Sequence, residues 1–154
     1  MQRYFFSILF AFIAGLNVAA QPYCSVKNFN LRDGLGSNVI TSLQQTSDQL
    51  LWFATWNGLT CYDGYRFTAF RDAPLGGRQP QRVLTTNRLQ SIEANSAGNI
   101  WCITYDLNAY LFDRRSGQYV DITSRINTKF GITFHTTRAI TTANGHTWLL
   151  NTEA

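Results

Sequence analysis

The chain has 154 residues, 13 of them Lys or Arg and 9 Asp or Glu, and only 14% of it is charged, against about 25% for an average soluble domain. The basic excess is scattered, with Arg114-Arg115 the one adjacent basic pair, so no stripe suits nucleic acid. Aromatic residues reach 14%, a balance that fits sheets buried on both faces rather than a charged helical or disordered chain.

The first twenty residues read as a leader. Met1-Gln2-Arg3 is a short positive start, residues 5–16 form an apolar core broken by Ser7 and Gly15, and Val18-Ala19-Ala20 supplies small residues before Gln21. This is the pattern of a secretory signal peptide cleaved after Ala20. The apolar run is shorter than the about 20 residues of a spanning helix. Residues 21–154 then make one domain's worth of chain, expected in the periplasm.

Residues 23–30 read as a strand, followed by the turn Arg32-Asp33-Gly34. Next comes Leu35-Gly36-Ser37-Asn38-Val39-Ile40-Thr41-Ser42-Leu43, a strand rich in β-branched residues. A polar run ends at Asp48-Gln49. Leu50-Leu51-Trp52-Phe53-Ala54-Thr55-Trp56 is a strand built round Trp52, and Asn57-Gly58 before Leu59-Thr60-Cys61-Tyr62-Asp63 is a hairpin signal for a type I′ turn. Residues 66–70 read as the outer strand. Residues 75–81, rich in Gly, Arg and Pro, read as a linker.

The pattern then recurs. Asn87 matches Asn38, Leu89 matches Ile40, Ser91 matches Ser42, Ile92 matches Leu43, Trp101 matches Trp52 and Thr104 matches Thr55. Ser116-Gly117 is a turn, and residues 118–122 read as the outer strand of the second unit. Residues 129–137 connect to a third copy, which starts near Arg138 and contains Asn144-Gly145 and Trp148. The three tryptophans lie 49 and 47 residues apart, a period that with several strands per unit belongs among propeller blades. The strands round Trp52 and Trp101 do not alternate apolar with polar, as expected of sheets covered on both faces. The fold class is therefore all-β. It is a partial β-propeller of about two and a half four-stranded antiparallel blades after the signal peptide, with blade-like repeats at about 29–74, 83–128 and, incomplete, 129–154.

Chemistry is sparse. Cys24, Cys61 and Cys102 have no Cys-x-x-Cys spacing, and the positions that match Cys61 and Cys102, Leu111 and Phe53, are ordinary core residues, which favours buried free thiols over a bridge between blades. His135 and His146 have no nearby Cys, so no metal site or cofactor is expected. Asp33, Asp63 and Asp72 fall at turns, where Asp bonds its own backbone. The recurring tryptophans are read as core. Catalytic residues are not identified.

Gly34-Leu35-Gly36-Ser37-Asn38, Leu50 through Thr55, Asn57-Gly58-Leu59 and Tyr62-Asp63 resemble the two-component regulator propeller repeat of Bacteroidetes hybrid sensors (hybrid sensor histidine kinase and response regulator). The second copy departs from it, with Asp106-Leu107 in place of Asn57-Gly58. The resemblance implies the opening part of an inner-membrane-anchored sensor, with its kinase elsewhere and not in these residues. It implies oligosaccharide as ligand, and as partners the remaining blades of the same propeller and a second copy in a full-length homodimer. The turns Thr46-Ser47-Asp48 and Asn144-Gly145-His146 also look like the Asp-box turns of sialidase-type propellers, so an exported hydrolase or lyase is the enzymatic alternative, and a secreted interaction scaffold the other. In an antiparallel meander, the link into each inner strand and the turn between second and third strands share one end of the sheet. That end carries Arg32, Asp33, Asn38, Trp56 and Asn57 in the first blade and Asn87, Tyr105 and Asp106 in the second. Its aromatic planes and polar groups are the expected ligand-binding set.

Overall fold

The computed structural model of the protein describes residues 25–71 and 83–151. The leader, Cys24, Asp72 and the 75–81 linker lie outside the described residues. Three antiparallel sheets follow one another along the chain. The first is the meander β1 (Ile40–Gln45), β2 (Leu51–Thr55), β3 (Gly58–Tyr62) and β4 (Phe67–Phe70). The second is β5 (Leu89–Ala94), β6 (Ile100–Thr104), β7 (Ala109–Asp113) and β8 (Gln118–Asp121). The third holds β9 (Thr136–Thr141) and β10 (Thr147–Asn151).

The repeat seen in the sequence extends to backbone detail. The register slips by one residue between Ile40 and Ser42 in the first sheet and between Leu89 and Ser91 in the second. The third sheet slips at the matching place, where Thr136 pairs with Asn151 and Arg138 with Leu150. A bulge of this kind bends the strand and adds twist near its start. In the first sheet it also frees the Thr41 hydroxyl to donate to the Leu89 carbonyl of the second sheet at 2.8 Å.

Pairing assigns each side chain to a face, because residues opposite one another in a ladder share a side. Trp52, Ala54, Leu59, Cys61 and Phe70 of the first sheet meet Ile92, Ile100, Cys102, Tyr110, Phe112 and Tyr119 of the second in one buried core. Trp52 stacks on Phe70 and tilts against Phe112, each at 5.9 Å between ring centroids. On the opposite side of the second sheet, Ile103 and Ala109 pack with Ala139, and Trp101, Ile122 and Leu149 lie against them. The second sheet is thus covered on both faces, as its unbroken apolar strands predicted, whereas the first meets another sheet on its Trp52 face alone. The Tyr119 hydroxyl donates to the Phe70 carbonyl at 2.9 Å and ties the outer strands together.

Four expectations need correction. Residues 25–30 form no strand; they lead into a single tight turn of helix at Leu31–Asp33, closed by a capping box in which Asn30 and Asp33 bond each other's backbone. Among the described residues no strand pairs with this segment, and Phe29 packs its ring on Tyr62 and Phe67. The hairpin after Thr55 is not type I′: of Asn57 and Gly58, only Gly58 takes positive φ, at 89°. Thr55 pairs with Gly58 round a Trp56-Asn57 loop, the arrangement of a type I turn closed by a left-handed glycine. The outer strand of the second sheet, expected to run to Ile122, stops at Asp121, and Ile122–Phe130 is a helix, α1, that overlaps the start of the expected 129–137 connection. Asp121 caps it by accepting from the Ser124 N–H, and Gly131 closes it in the left-handed conformation. The fourth correction concerns Trp148, which is exposed rather than core, since no described residue covers its side of the third sheet.

Cys61 and Cys102 are buried free thiols on the two walls of the same core. Burial pushes both above the ordinary thiol range, Cys102 much the further. No helix among the described residues is long and apolar enough to cross a membrane.

Candidate functional site

The end of the sheets that carries the β2–β3 and β6–β7 turns brings together residues from two repeats. Trp56 sits in the first of these turns and its N–H donates to the Val39 carbonyl at 3.3 Å. Tyr105 sits in the second and its N–H donates to the Arg88 carbonyl at 3.1 Å. Val39 and Arg88 each precede the inner strand of their sheet, so one backbone contact, repeated, presents an aromatic residue at the same place twice. The Trp56 and Tyr105 rings then meet edge to face, 6.3 Å apart at 90°. The Arg88 guanidinium lies over the Trp56 ring, 4.9 Å from its centroid. Trp56 remains 43% exposed and Tyr105 50%. Arg88 was not singled out in the sequence. Its signal was there in hindsight, since it falls next to Asn87 at the start of the repeat.

The turns that hold this pair are firmly built. The Thr55 hydroxyl donates to the Gly58 carbonyl at 2.7 Å and accepts from the Asn57 N–H at 3.0 Å. The Gly58 N–H crosses to the Asn87 carbonyl of the second repeat at 2.8 Å. Thr104, matching Thr55, donates to the Asp106 carboxylate and to the Asn108 carbonyl.

The remaining expected residues divide. Asn57 stands beside Trp56, but its amide donates to the Gly36 carbonyl at 3.1 Å and serves the turn. Asp106 neighbours Tyr105, with one carboxylate oxygen taken by Thr104. Asn87 lies at the junction of the two sheets and gives its carbonyl to Gly58. Asn38 is exposed just before β1. Arg32 and Asp33 stand apart from this group: their turn leads to Gly34, which abuts Phe67 at the start of β4, the far end of that strand from the Trp56 turn. The Asp33 carboxylate is held by the Asn30 N–H at 2.8 Å.

A second concavity lies at the opposite end, between the first two sheets. It encloses about 250 Å³ and is lined by Trp52, Cys61, Asp63, Arg66, Phe70 and Arg114, among others. Arg114 is committed there. It ion-pairs with Asp48, donates to the Gly98 carbonyl at 3.2 Å and lies 5.2 Å from the Trp52 ring centroid. The hydrogen bond from Arg114 holds the Asp48 carboxyl below its usual range, and Asp63 is lowered by the backbone N–H groups of Arg66 and Tyr65. These charges are paired within the protein. Among the described residues no group of His, Cys, Asp or Glu has the make-up of a metal site.

Residues 34–57, from the tight turn before β1 through the Trp56 turn, match the two component regulator propeller family. The match is confined to this one stretch. No curated protein matches the sequence significantly. Among solved structures, the extracellular domain of the hybrid two component system BT3049 from B. thetaiotaomicron aligns over 80% of this chain and 17% of its own length, with 21% identity and a TM-score of 0.64. The extracellular domain of the one component system BT4673 from the same organism aligns over 84% of this chain and 18% of its own, with 20% identity and a TM-score of 0.52. Virginiamycin B lyase from Staphylococcus aureus aligns over 73% and 34%, with 13% identity and a TM-score of 0.48. The chain thus spans under a fifth of the length of the two extracellular domains, and its fold is that of part of a β-propeller.

Proposed function

We propose that this chain is the ligand-sensing part of an exported two-component regulator, that it binds oligosaccharide rather than catalysing a reaction, and that the ligand lies across Trp56 and Tyr105. One observation carries the reading: two half-exposed aromatic rings from successive repeats stand side by side at one end of the sheets, with the Arg88 guanidinium against one of them. A sugar ring offers apolar C–H faces to such rings and hydroxyls to flanking polar groups, and Asn38 and Asp106 are near in the repeat to supply them. The regulator repeat at residues 34–57 supports sensing. The leader pattern of residues 1–20 supports export to the periplasm.

Two measurements test this. Intact-mass analysis of protein from the periplasmic fraction is expected to show an N-terminus at Gln21; retention of Met1 in soluble protein would overturn export. Titration calorimetry against a panel of oligosaccharides is expected to find a binder whose affinity falls at least about tenfold in both Trp56→Ala and Tyr105→Ala, which corresponds to about 1.4 kcal/mol. Unchanged affinity in both variants, with unaltered circular dichroism, would remove the ligand from this end.

A further inference from the structure

We infer, resting on the sugar site proposed above, that its ligand is acidic: an oligosaccharide containing a uronic acid, whose carboxylate is received by Arg88. Arg88 is then the residue that sets specificity at this end.

The fold does not ask for a cation at this position. The Arg88 carbonyl accepts the Tyr105 N–H, and in the first sheet the Val39 carbonyl accepts the Trp56 N–H in the same way. An apolar side chain thus serves the backbone equally well. The Arg88 side chain reaches out of its own repeat to lie over the Trp56 ring of the preceding one.

Its charge is left without a counter-charge. Arg66 pairs with Asp63 and Arg114 with Asp48, whereas Arg88 forms no ion pair among the described residues. Its backbone N–H and carbonyl are both bonded, but its guanidinium donates no hydrogen bond to any described residue. Asp48, Asp63 and Asp113 lie in the turns of the opposite end. At the Arg88 end, Asp106 has one oxygen bonded by the Thr104 hydroxyl and Asp121 caps α1, and neither forms an ion pair with Arg88. Arg71 adds a second cation there. A Cβ on Gly58, in the Trp56 turn, would stand 3.3 Å from the Arg71 Cα, and Arg71 has no ion pair among the described residues either.

A guanidinium presents its N–H donors in a planar fork that matches a carboxylate, and hydrogen bonds between two charged groups are about twice as strong as neutral ones. The Trp56 ring steadies this guanidinium while its donors stay unbonded, which reduces the ordering that a ligand must impose. A uronic acid carries a carboxylate and an apolar C–H face within one sugar unit, the two features that Arg88 and the neighbouring rings match. Asp106 sets the direction. Its charge repels a carboxylate and accepts from hydroxyls, so the acid group lies toward Trp56 and the sugar hydroxyls toward Tyr105.

The test sets acidic chains beside their own neutral forms. The probes are oligomers of galacturonic, glucuronic and mannuronic acid, each with its carboxyl-reduced counterpart, in which every carboxylate has become a hydroxymethyl group on the same backbone. Titration calorimetry with the purified chain is expected to find an acidic oligomer that binds at least about tenfold more tightly than its reduced form. A tenfold rise in salt is expected to weaken the acidic ligand several-fold and to leave the reduced one unchanged. Arg88→Gln is expected to bring the two affinities within about twofold of each other by weakening the acidic ligand. Arg88→Lys, which keeps the charge and loses the fork, is expected to fall between. The ratio separates recognition from packing: if Arg88 only covered Trp56, its loss would weaken both forms alike and leave the ratio as it was. Equal binding of acidic and reduced forms by the unaltered chain, or binding of neutral chains alone, would overturn the acidic ligand and leave the sugar site standing. A preference that survives in Arg88→Gln would overturn the role of Arg88. Binding of no saccharide at all would overturn the sugar site, and the acidic ligand with it.

Discussion

Gly58 shows how one residue can hold both the fold and the site. Its φ of 89° lies in the left-handed region, and a Cβ there would stand 2.4 Å from the Phe70 carbonyl oxygen, a backbone atom that cannot swing aside. The left-handed conformation alone costs a non-glycine residue about 1–2 kcal/mol. With the clash added, Gly58→Ala is expected to destabilise the protein by more than about 3 kcal/mol, measured by urea unfolding. It is also expected to disturb the Trp56 turn, seen as a change in near-ultraviolet dichroism. The acidic turns set the response to pH. Asp48 is lowered first by its hydrogen bond from Arg114, Asp63 by the backbone N–H groups of Arg66 and Tyr65, and Asp113 by the Ser116 hydroxyl and the Arg115 N–H. A carboxyl whose folded pKa is depressed binds its proton more readily in the unfolded chain. Stability from these groups is therefore fully present above the ordinary Asp range, about pH 4, and is lost as pH falls through the folded values. Urea midpoints are expected to be level from pH 7 to 5 and to drop below about pH 4, with a shallower drop in Asp48→Asn.

Among the elements, α1 is the one that the strand pattern concealed. The stretch Ile122-Thr123-Ser124-Arg125-Ile126-Asn127 is rich in β-branched and turn-forming residues, which is a poor advertisement for a helix. Its ends decide the matter. Asp121 accepts from the Ser124 N–H at 2.8 Å, Gly131 donates to the Asn127 carbonyl at 2.9 Å, and Thr123 is buried with its hydroxyl accepting from the Ala109 N–H at 2.7 Å. Asp121→Ala is expected to cost about 1 kcal/mol by chemical denaturation and to weaken the docking of the third sheet. The hairpin at Trp56 teaches a related lesson. Asn-Gly signals a turn correctly, but whether one or both residues take positive φ depends on what the strands require. Here the Gly58 N–H is called across to Asn87 of the next sheet.

At the scale of the whole molecule, stability is uneven. The first two sheets share a core closed by aromatic rings on both walls, whereas the third is a two-stranded hairpin with one face in water. Such a hairpin is marginal by itself and depends on the surface beneath it. Amide exchange in β9 and β10 is expected to be at least about tenfold faster than in β2, β3, β6 and β7 in the monomer, read by mass spectrometry of peptides. Equal protection in all three sheets would contradict this account.

The sequence by itself determined the repeat, the antiparallel meander and the correspondence of Trp52 with Trp101. All of these follow from local period, turn chemistry and strands apolar on both sides. It also placed Trp56 and Tyr105 on one end, because strand direction alternates and the turns must follow. Tertiary structure decided the rest. That Trp52 is buried while Trp148 is exposed cannot be read from two residues in identical local settings; it depends on which sheet stacks on which. That Phe29 packs on Tyr62 and Phe67 depends on the first sheet bringing those rings together, and that Asn57 serves its turn depends on the Gly36 carbonyl coming within 3.1 Å. Arg88 reached the Trp56 ring for the same reason: the contact joins two repeats, and only the packing of one sheet on the next brings their turns together.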